Sequence, residues 1–347
     1  MEQISLSALE KGVPPRFHGA SPAELIGWNV LEGPLPVCVI RETALDHNLK
    51  AMRAFAEHAG ALLCPHGKTT MTPRLFERQL AAGAWGITLA TLQQVRVARA
   101  HGIQRILYAN ELTRSEDVAY VRDELERDPE LDFYCLVDSV EGAELVAGLE
   151  RLNVLLEVGA PGVRGGVRDL ATARRVAEVV PLAGIEGFEG LLPGDDAVRE
   201  YLRFVAEVAG ELGAELVTAG GSAYFDVVAE ELAGFQLVLR SGCYVVHDHG
   251  HYARLTVGRG VDLWPALEVW AHVLSVPEPE LAILSAGRRD FGRTPATPCR
   301  CGSTAARSSG SATSTPTCGC PPAMACGSGN RSRSALLTPA RRSTSGA

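Results

Sequence analysis

The chain has 347 residues, 46% hydrophobic and 21% charged, with a net charge of −8, the balance of an ordinary globular protein and one that argues against a nucleic-acid surface. That length accommodates one large domain and a smaller one. Met1-Glu2-Gln3-Ile4-Ser5 has neither a basic nor an apolar leader character and no apolar run is long enough to span a bilayer, so a cytoplasmic protein without membrane or nucleic-acid partners is expected.

Val37-Cys38-Val39-Ile40 reads as a strand, and residues 44–59 as the helix after it. From about residue 61 to 250 a beat repeats: a short apolar run, a turn, then an amphipathic stretch. The runs are 62–65, 86–90, 106–109, 133–137, 154–158, 185–189, 216–219 and 237–239. Each is continuously apolar rather than alternating, as strands covered on both faces require. Segments such as 73–82, 93–101, 115–127, 169–179 and 197–212 carry helical spacing. The pattern predicts an α/β fold, a (β/α)8 TIM-type barrel, with a doubly wound open sheet as the alternative. After residue 260, stretches 266–276 and 281–285 read as antiparallel strands parted by Pro277-Glu278-Pro279. A smaller β-rich domain formed by both chain ends is therefore expected, its C-terminal part incomplete. The resulting division is 1–40 as N-terminal segment and strand, 41–260 as barrel, 261–292 as the start of the β-domain, and 293–347 as an aberrant tail.

In such barrels the chemistry sits at the C-terminal ends of the strands, and phosphate often binds the loops after strands 7 and 8. Directly after the first apolar run stands Pro65-His66-Gly67-Lys68-Thr69-Thr70, which puts Lys68 at the barrel mouth beside His66. An amine so placed suits a carbonyl cofactor, which it would hold as a Schiff base. Thr218-Ala219-Gly220-Gly221-Ser222 follows strand 7, and Arg240-Ser241-Gly242-Cys243-Tyr244 follows strand 8. Either could be a plain tight turn; together, opposite Lys68, they read as a phosphate grip of backbone N–H groups and a serine hydroxyl. Arg164, within Gly162-Val163-Arg164-Gly165-Gly166 after strand 5, is either a solvated loop residue or a donor to a phenolate or carboxylate at the same rim. Gly67-Lys68-Thr69 imitates the end of a Walker loop, but Leu62 stands where that loop needs glycine, and no dinucleotide fingerprint is present, so nucleotide binding is not expected.

Four of these stretches, Pro65-His66-Gly67-Lys68-Thr69, Trp85-Gly86-Ile87-Thr88-Leu89-Ala90-Thr91, Leu107-Tyr108-Ala109-Asn110-Glu111 and Ala219-Gly220-Gly221-Ser222, occur in this order. With them the chain, from about Pro36 to Gly292, resembles the D-threonine aldolase / D-serine dehydratase family, whose members have the alanine-racemase-like fold of a pyridoxal-phosphate barrel with a C-terminal β-domain. The resemblance implies that Lys68 is the Schiff-base lysine and that Arg164 meets the cofactor's ring oxygen. It implies that Gly220, Gly221, Ser222, Gly242 and Cys243 hold the phosphate. Burial of the amine beside Arg164 would lower its affinity for protons. Lys68 would then take the α-proton of a D-3-hydroxy amino acid, and loss of the β-hydroxyl would give a 2-oxo acid and ammonia. His66 is a candidate base near the β-oxygen, or alternatively a loop-stabilising side chain. Retro-aldol cleavage to glycine and an aldehyde shares the same residues, and a noncatalytic pyridoxal-phosphate protein, or an enzyme inactivated by its altered tail, is a third reading. Relatives further imply a homodimer and a divalent metal, zinc or manganese, held by a His-Pro-Cys motif whose ligands are missing here.

His247-Asp248-His249-Gly250-His251 invites a metal reading, because histidines at period two share a strand face; with no fourth ligand nearby, a lining or structural role is preferred and no metal residues are assigned. Cys38, Cys64, Cys135 and Cys243 lie in apolar runs and read as reduced core thiols. From Arg293 onward there are seven arginines and no acidic, aromatic, histidine, valine or isoleucine residue, leaving the body near −15. Such a composition cannot build a core. It reads as a frameshifted, disordered tail, or else as a basic tail with Cys299/Cys301 and Cys318/Cys320 as a metal clip. The frame one base earlier can encode Asp-Ala-Gly-His-Pro-Val-Pro-Leu-Arg over 294–302 and, at the same offset, a His-Pro-Cys stretch over 336–346.

Overall fold

The computed structural model describes residues 5–6, 11–278, 281–287 and 290, together with the backbone of 334–337. They fall into two compact units, one drawn from His47–Val245 and Leu255–Asp262, the other from Met1–Asp46, Val246–Arg254 and Leu263–Ala347. Regular structure begins with β1 (Val37–Ile40) and α1 (Glu42–His58).

The larger unit alternates strand and helix. Its elements are β2 (Leu62–Leu63), α2 (Pro73–Ala81), β3 (Ile87–Leu89), α3 (Leu92–Ala100), β4 (Arg105–Glu111), α4 (Ser115–Arg127), β5 (Asp132–Val137) and α5 (Val140–Val146). They continue with β6 (Leu152–Val158), α6 (Leu170–Ala177), β7 (Leu182–Gly187), α7 (Asp195–Leu212), β8 (Leu216–Ala219), α8 (Phe225–Glu231) and β9 (Gln236–Leu239). The eight strands β2 to β9 form one parallel sheet in the order β2-β9-β8-β7-β6-β5-β4-β3. The two ends of that order also meet. Trp85 donates its backbone N–H to Leu63 O at 2.6 Å, Thr88 donates to Pro65 O at 3.0 Å, and His66 bridges Thr88 in parallel. The sheet is thereby a closed ring, the predicted barrel rather than the open alternative.

Local sequence chemistry sets the element ends. Thr91, Ser139 and Asp169 precede α3, α5 and α6, and their side chains accept the N–H groups of Gln94, Gly142 and Thr172 at 3.3, 3.3 and 2.7 Å. Gly213 ends α7 in the left-handed region at φ 64°. Strands such as β3 and β8 are buried at every residue, and their threonines, Thr88 and Thr218, donate their hydroxyls to Cys64 O at 2.5 Å and Val238 O at 3.0 Å. Inside the ring Cys64, Leu107, Leu136, Leu155, Leu216 and Val238 pack as a plug, with Trp85 and Tyr134 against it. The barrel is thus filled below its mouth, and only the C-terminal rim is open to chemistry.

In the smaller unit, β1 pairs antiparallel with β10 (Leu267–Glu278), which pairs antiparallel with β11 (Leu281–Leu284). This is the β-rich part expected from the two chain ends. Strand β10 runs through Pro277 instead of stopping before it; the register shifts between Ser275 and Glu278, and such an irregularity accommodates a residue without an N–H. Within the expected tail, the backbone of β12 (Ser334–Leu337) pairs antiparallel with β10. The rest of 293–347, including the proposed frameshift point at Arg293, the Cys299/Cys301 and Cys318/Cys320 pairs and Cys326, lies outside the described residues.

Two expectations are corrected here. Cys38 is exposed, because β1 alternates between its faces, whereas Cys64, Cys135 and Cys243 are buried as expected. His247–His251 is not a strand: His247 has φ 45°, and His251 opens the short helix α9 (His251–Leu255). The Asp248 carboxylate accepts the N–H groups of Gly250 and Tyr252 at 2.7 and 3.0 Å, so this stretch is a turn leading into a helix and its histidines share no strand face. Among the described residues no group of three or more His, Cys, Asp or Glu side chains could hold a metal, and no helix is long and apolar enough to cross a membrane.

Candidate active site

A cavity of about 300 Å³ opens at the C-terminal rim of the barrel. Lys68 reaches it from the 3-10 turn Gly67–Thr69 that follows β2, and His66, Arg164 and Gly221 line it too. Lys68 is exposed, which corrects the expected burial of its amine: the short turn lifts the side chain onto the open mouth rather than into the plug. His66 Nδ1 lies 3.1 Å from the Thr88 carbonyl oxygen. A carbonyl only accepts, so the proton sits on Nδ1 and Nε2 is the basic ring nitrogen.

Arg164 stands on the loop after β6 with its guanidinium carbon 5.3 Å from the centre of the Phe188 ring. That loop is stitched by Arg168, which donates to the carbonyls of Gly165 at 2.8 Å and Gly166 at 2.6 Å, and also to Arg164 O. Phe188 is fixed in turn: Tyr201 donates its hydroxyl proton to Val158 O at 2.6 Å and accepts the Phe188 N–H at 2.9 Å.

The turns after β8 and β9 lie together. Ser241 donates its hydroxyl to Gly220 O and Gly221 O, each at 3.0 Å, and Cys243 N–H donates to Ser222 Oγ at 3.3 Å. A Cβ on Gly242 would sit 2.5 Å from His66 O and 2.8 Å from His66 N, so glycine alone allows this turn to approach the lysine's own segment. Of these turn residues Gly221 lines the cavity, and Gly220, Ser222, Gly242 and Cys243 are not among its lining residues. One partner was illegible in the sequence. The buried Glu189 carboxylate takes the N–H of Gly220 at 3.2 Å and of Gly221 at 2.7 Å, so two of the amides expected to face a phosphate already hold an internal anion.

Further lining residues were given no role from the sequence: Glu111 and Arg240, which stand within quoted stretches, and Glu157 and Glu186, which stand within strand runs. Arg240 is 5% and Glu186 3% exposed, and the two form a buried pair. Arg240 also donates to Thr218 Oγ1 at 2.9 Å and Gly187 O at 2.8 Å. Burial drives the Glu186 carboxyl up to about 7 against the opposing pull of Arg240, with Glu157 and Glu189 adding to the rise. Burial likewise pushes Glu111 up to about 7, helped by the negative charge of Asp138 and Glu157. Glu157 is raised by burial and by Asp138, with Arg164, Arg240 and Arg168 opposing. A single change of face along each strand end decides whether such a residue lines the mouth, and that phase is weakly marked in short, wholly apolar runs.

These residues fit pyridoxal phosphate. The cavity has the size of a small-ligand site, an amine reaches it, and Glu186, whose buried Oε2 has no hydrogen-bond partner, lines it. They do not supply a metal site, since the His-Pro-Cys reading falls outside the described residues.

The barrel is shared with a defined class of proteins. The chain belongs to the family of the alanine racemase N-terminal domain, which it matches over residues 40–223. It is 29% identical over 273 residues to a D-threonine aldolase from Arthrobacter sp., a match covering 73% of this chain and 71% of that protein. It is 31% identical over 139 residues, 38% of this chain and 35% of the relative, to the D-threo-3-hydroxyaspartate dehydratase of Delftia sp. strain HT23. The solved structure of that dehydratase superposes with a TM-score of 0.62 at 27% identity, covering 76% of this chain and 74% of the other. The D-threonine aldolase of Filomicrobium marinum, at 20% identity and a TM-score of 0.69 over 89% of this chain and 88% of its own, shares the fold.

Proposed function

We propose that this chain is a pyridoxal-phosphate-dependent lyase of D-3-hydroxy amino acids, releasing a 2-oxo acid and ammonia. The observation that carries this reading is that His66, Lys68, Arg164 and Gly221, four residues singled out from three separate parts of the chain, line one cavity. Lys68 would hold the cofactor through its amine, Arg164 would donate to its ring oxygen, and Ser222, Gly242 and Cys243 would carry the phosphate alongside Gly220 and Gly221. Because Glu189 engages the two glycine amides, it would set how much of the phosphate's charge that turn can take. When bound, the cofactor supplies an electron sink for charge developing at the α-carbon.

Lys68 takes the α-proton, and its exposed position gives the amine access to substrate. His66, with its proton fixed on Nδ1 by the Thr88 carbonyl, presents Nε2 as an acceptor that orients the β-hydroxyl, and the proton Lys68 takes from the α-carbon leaves with that hydroxyl as water. The same nitrogen serves a second reading, in which it takes the β-hydroxyl proton and the Cα–Cβ bond breaks. That retro-aldol reading is favoured by the match to a D-threonine aldolase over 73% of the chain. A divalent metal, zinc or manganese, belongs to the proposal through the relatives alone; one structure of the dehydratase is described as a metal-free form. A homodimer is proposed on the same footing, and a cytoplasmic setting agrees with the buried thiols of Cys64 and Cys135.

Purified protein is incubated with D-serine and D-threonine, with and without zinc or manganese. Pyruvate or 2-oxobutyrate supports the dehydratase, glycine plus acetaldehyde the aldolase, and none of these products refutes both. Lys68→Ala should abolish the cofactor's visible absorbance band together with turnover, and a retained band would refute the lysine assignment.

A further inference from the structure

Four successive barrel strands carry a carboxylate at or just beyond their C-terminal ends. Glu111 ends β4, Asp138 follows β5, Glu157 lies next to the last residue of β6, and Glu186 pairs with Glu157 in register on β7. Glu111, Glu157 and Glu186 line the cavity, and Asp138 lies directly behind, its carboxylate accepting the Gly166 N–H at 2.8 Å. A Cβ on Gly165 would sit 3.2 Å from a Glu157 oxygen and 3.4 Å from an Asp138 oxygen, so the loop presses no side chain between them. Of the cations beside Glu157, Arg164 is the residue proposed to meet the cofactor, Arg240 is paired with Glu186, and Arg168 donates to carbonyls of its own loop. An independent feature points the same way: Glu186, which lines the cavity, is 3% exposed, and its Oε2 is buried without a hydrogen-bond partner. This wall offers acceptors to a hydroxyl or amine and opposes any further anion.

We propose that this carboxylate row selects the substrate by charge, with Glu111 as a specificity-determining residue: D-3-hydroxy amino acids with neutral side chains are accepted, and those with a second carboxylate, such as 3-hydroxyaspartate, are rejected. The inference deepens the lyase reading above and rests on it for the hydroxyl substrate.

The holoenzyme is titrated with two amino acids that lack the β-hydroxyl, D-alanine and D-aspartate, following the cofactor's visible absorbance, and turnover of D-threonine is compared with that of D-threo-3-hydroxyaspartate. D-aspartate should bind at least about tenfold more weakly than D-alanine, as expected of one like charge near a partly desolvated carboxylate. Glu111→Gln should narrow that gap severalfold, and Glu111→Gln combined with Glu157→Gln should narrow it further. A merely structural role would not move this ratio. Equal binding of the two in the wild type, or an unchanged ratio in both variants, overturns the selectivity. A preserved binding ratio without turnover of any hydroxy amino acid would instead remove the lyase reading and leave the selectivity standing. No absorbance response to either amino acid overturns both.

Discussion

The buried pair of Glu186 and Arg240 makes an asymmetric prediction. The two side chains are 3% and 5% exposed, and Arg240 has three acceptors: Glu186, Thr218 Oγ1 and Gly187 O. Glu186→Leu leaves a guanidinium that cannot lose its proton facing two neutral oxygens, which should cost about 3–5 kcal/mol of stability. Arg240→Met is milder, because the carboxyl it strands is already raised to about 7 and neutralises by taking a proton. Its cost is then the donor lost by two neutral acceptors, about 2 kcal/mol in all. Glu186→Gln keeps an acceptor for Arg240 and should cost about 1 kcal/mol. The pH dependence has a definite sign. A carboxyl whose folded value, about 7, lies above the unfolded one contributes stability that is complete below the unfolded value and is lost as pH rises through 7. With an ordinary Glu near ~4.3, the loss between pH 5 and 9 is about 2.5 kcal/mol, and Glu186→Gln should remove that part of the slope. Urea denaturation of the cofactor-stripped proteins at pH 5, 7 and 9 measures all four, with cofactor linkage excluded. If Arg240→Met is costlier than Glu186→Leu, or Glu186→Gln keeps the wild-type slope, the argument fails.

Gly242→Ala should displace the His66 backbone, since the new methyl would lie 2.5 Å from His66 O; about 1–3 kcal/mol of stability and most of the cofactor absorbance should be lost, read by denaturation and spectroscopy. Tyr201→Phe leaves the Phe188 N–H and the Val158 carbonyl without a shared partner, at about 1–3 kcal/mol in urea denaturation. Discrimination between D-alanine and D-aspartate should steepen as pH rises through about 7, where Glu111 loses its proton facing Asp138 and Glu157; constants measured at pH 6 and 8 check the direction.

The sequence declares what a strand needs from both faces and is nearly silent on what its last residue sees. Runs such as 216–219 and 237–239 were legible because a strand covered on both sides has no polar phase to hide. Lys68, His66 and the glycine turns were legible because an amine beside Pro-His-Gly, or paired glycines after a strand, is chemistry that a plain core does not require. Glu111, Glu157, Glu186 and Arg240 carry no such mark. Each is one polar residue at the end of an apolar run, and only closure of the barrel brings them to a common rim. Glu189 was hidden for a different reason. Its partners are backbone amides 31 and 32 residues on, and a side chain bound to backbone leaves no complementary residue type to find. The histidine stretch misled in the opposite sense: period-two spacing implies a shared face only if the backbone is extended, and the left-handed His247 breaks that condition. The residues that announce themselves are thus those that would bind the cofactor, while those proposed to choose the substrate are supplied by topology. Two chains of this family can therefore keep the same lysine and glycine motifs and differ in substrate through carboxylates such as Glu157 and Glu186 that lie outside those motifs.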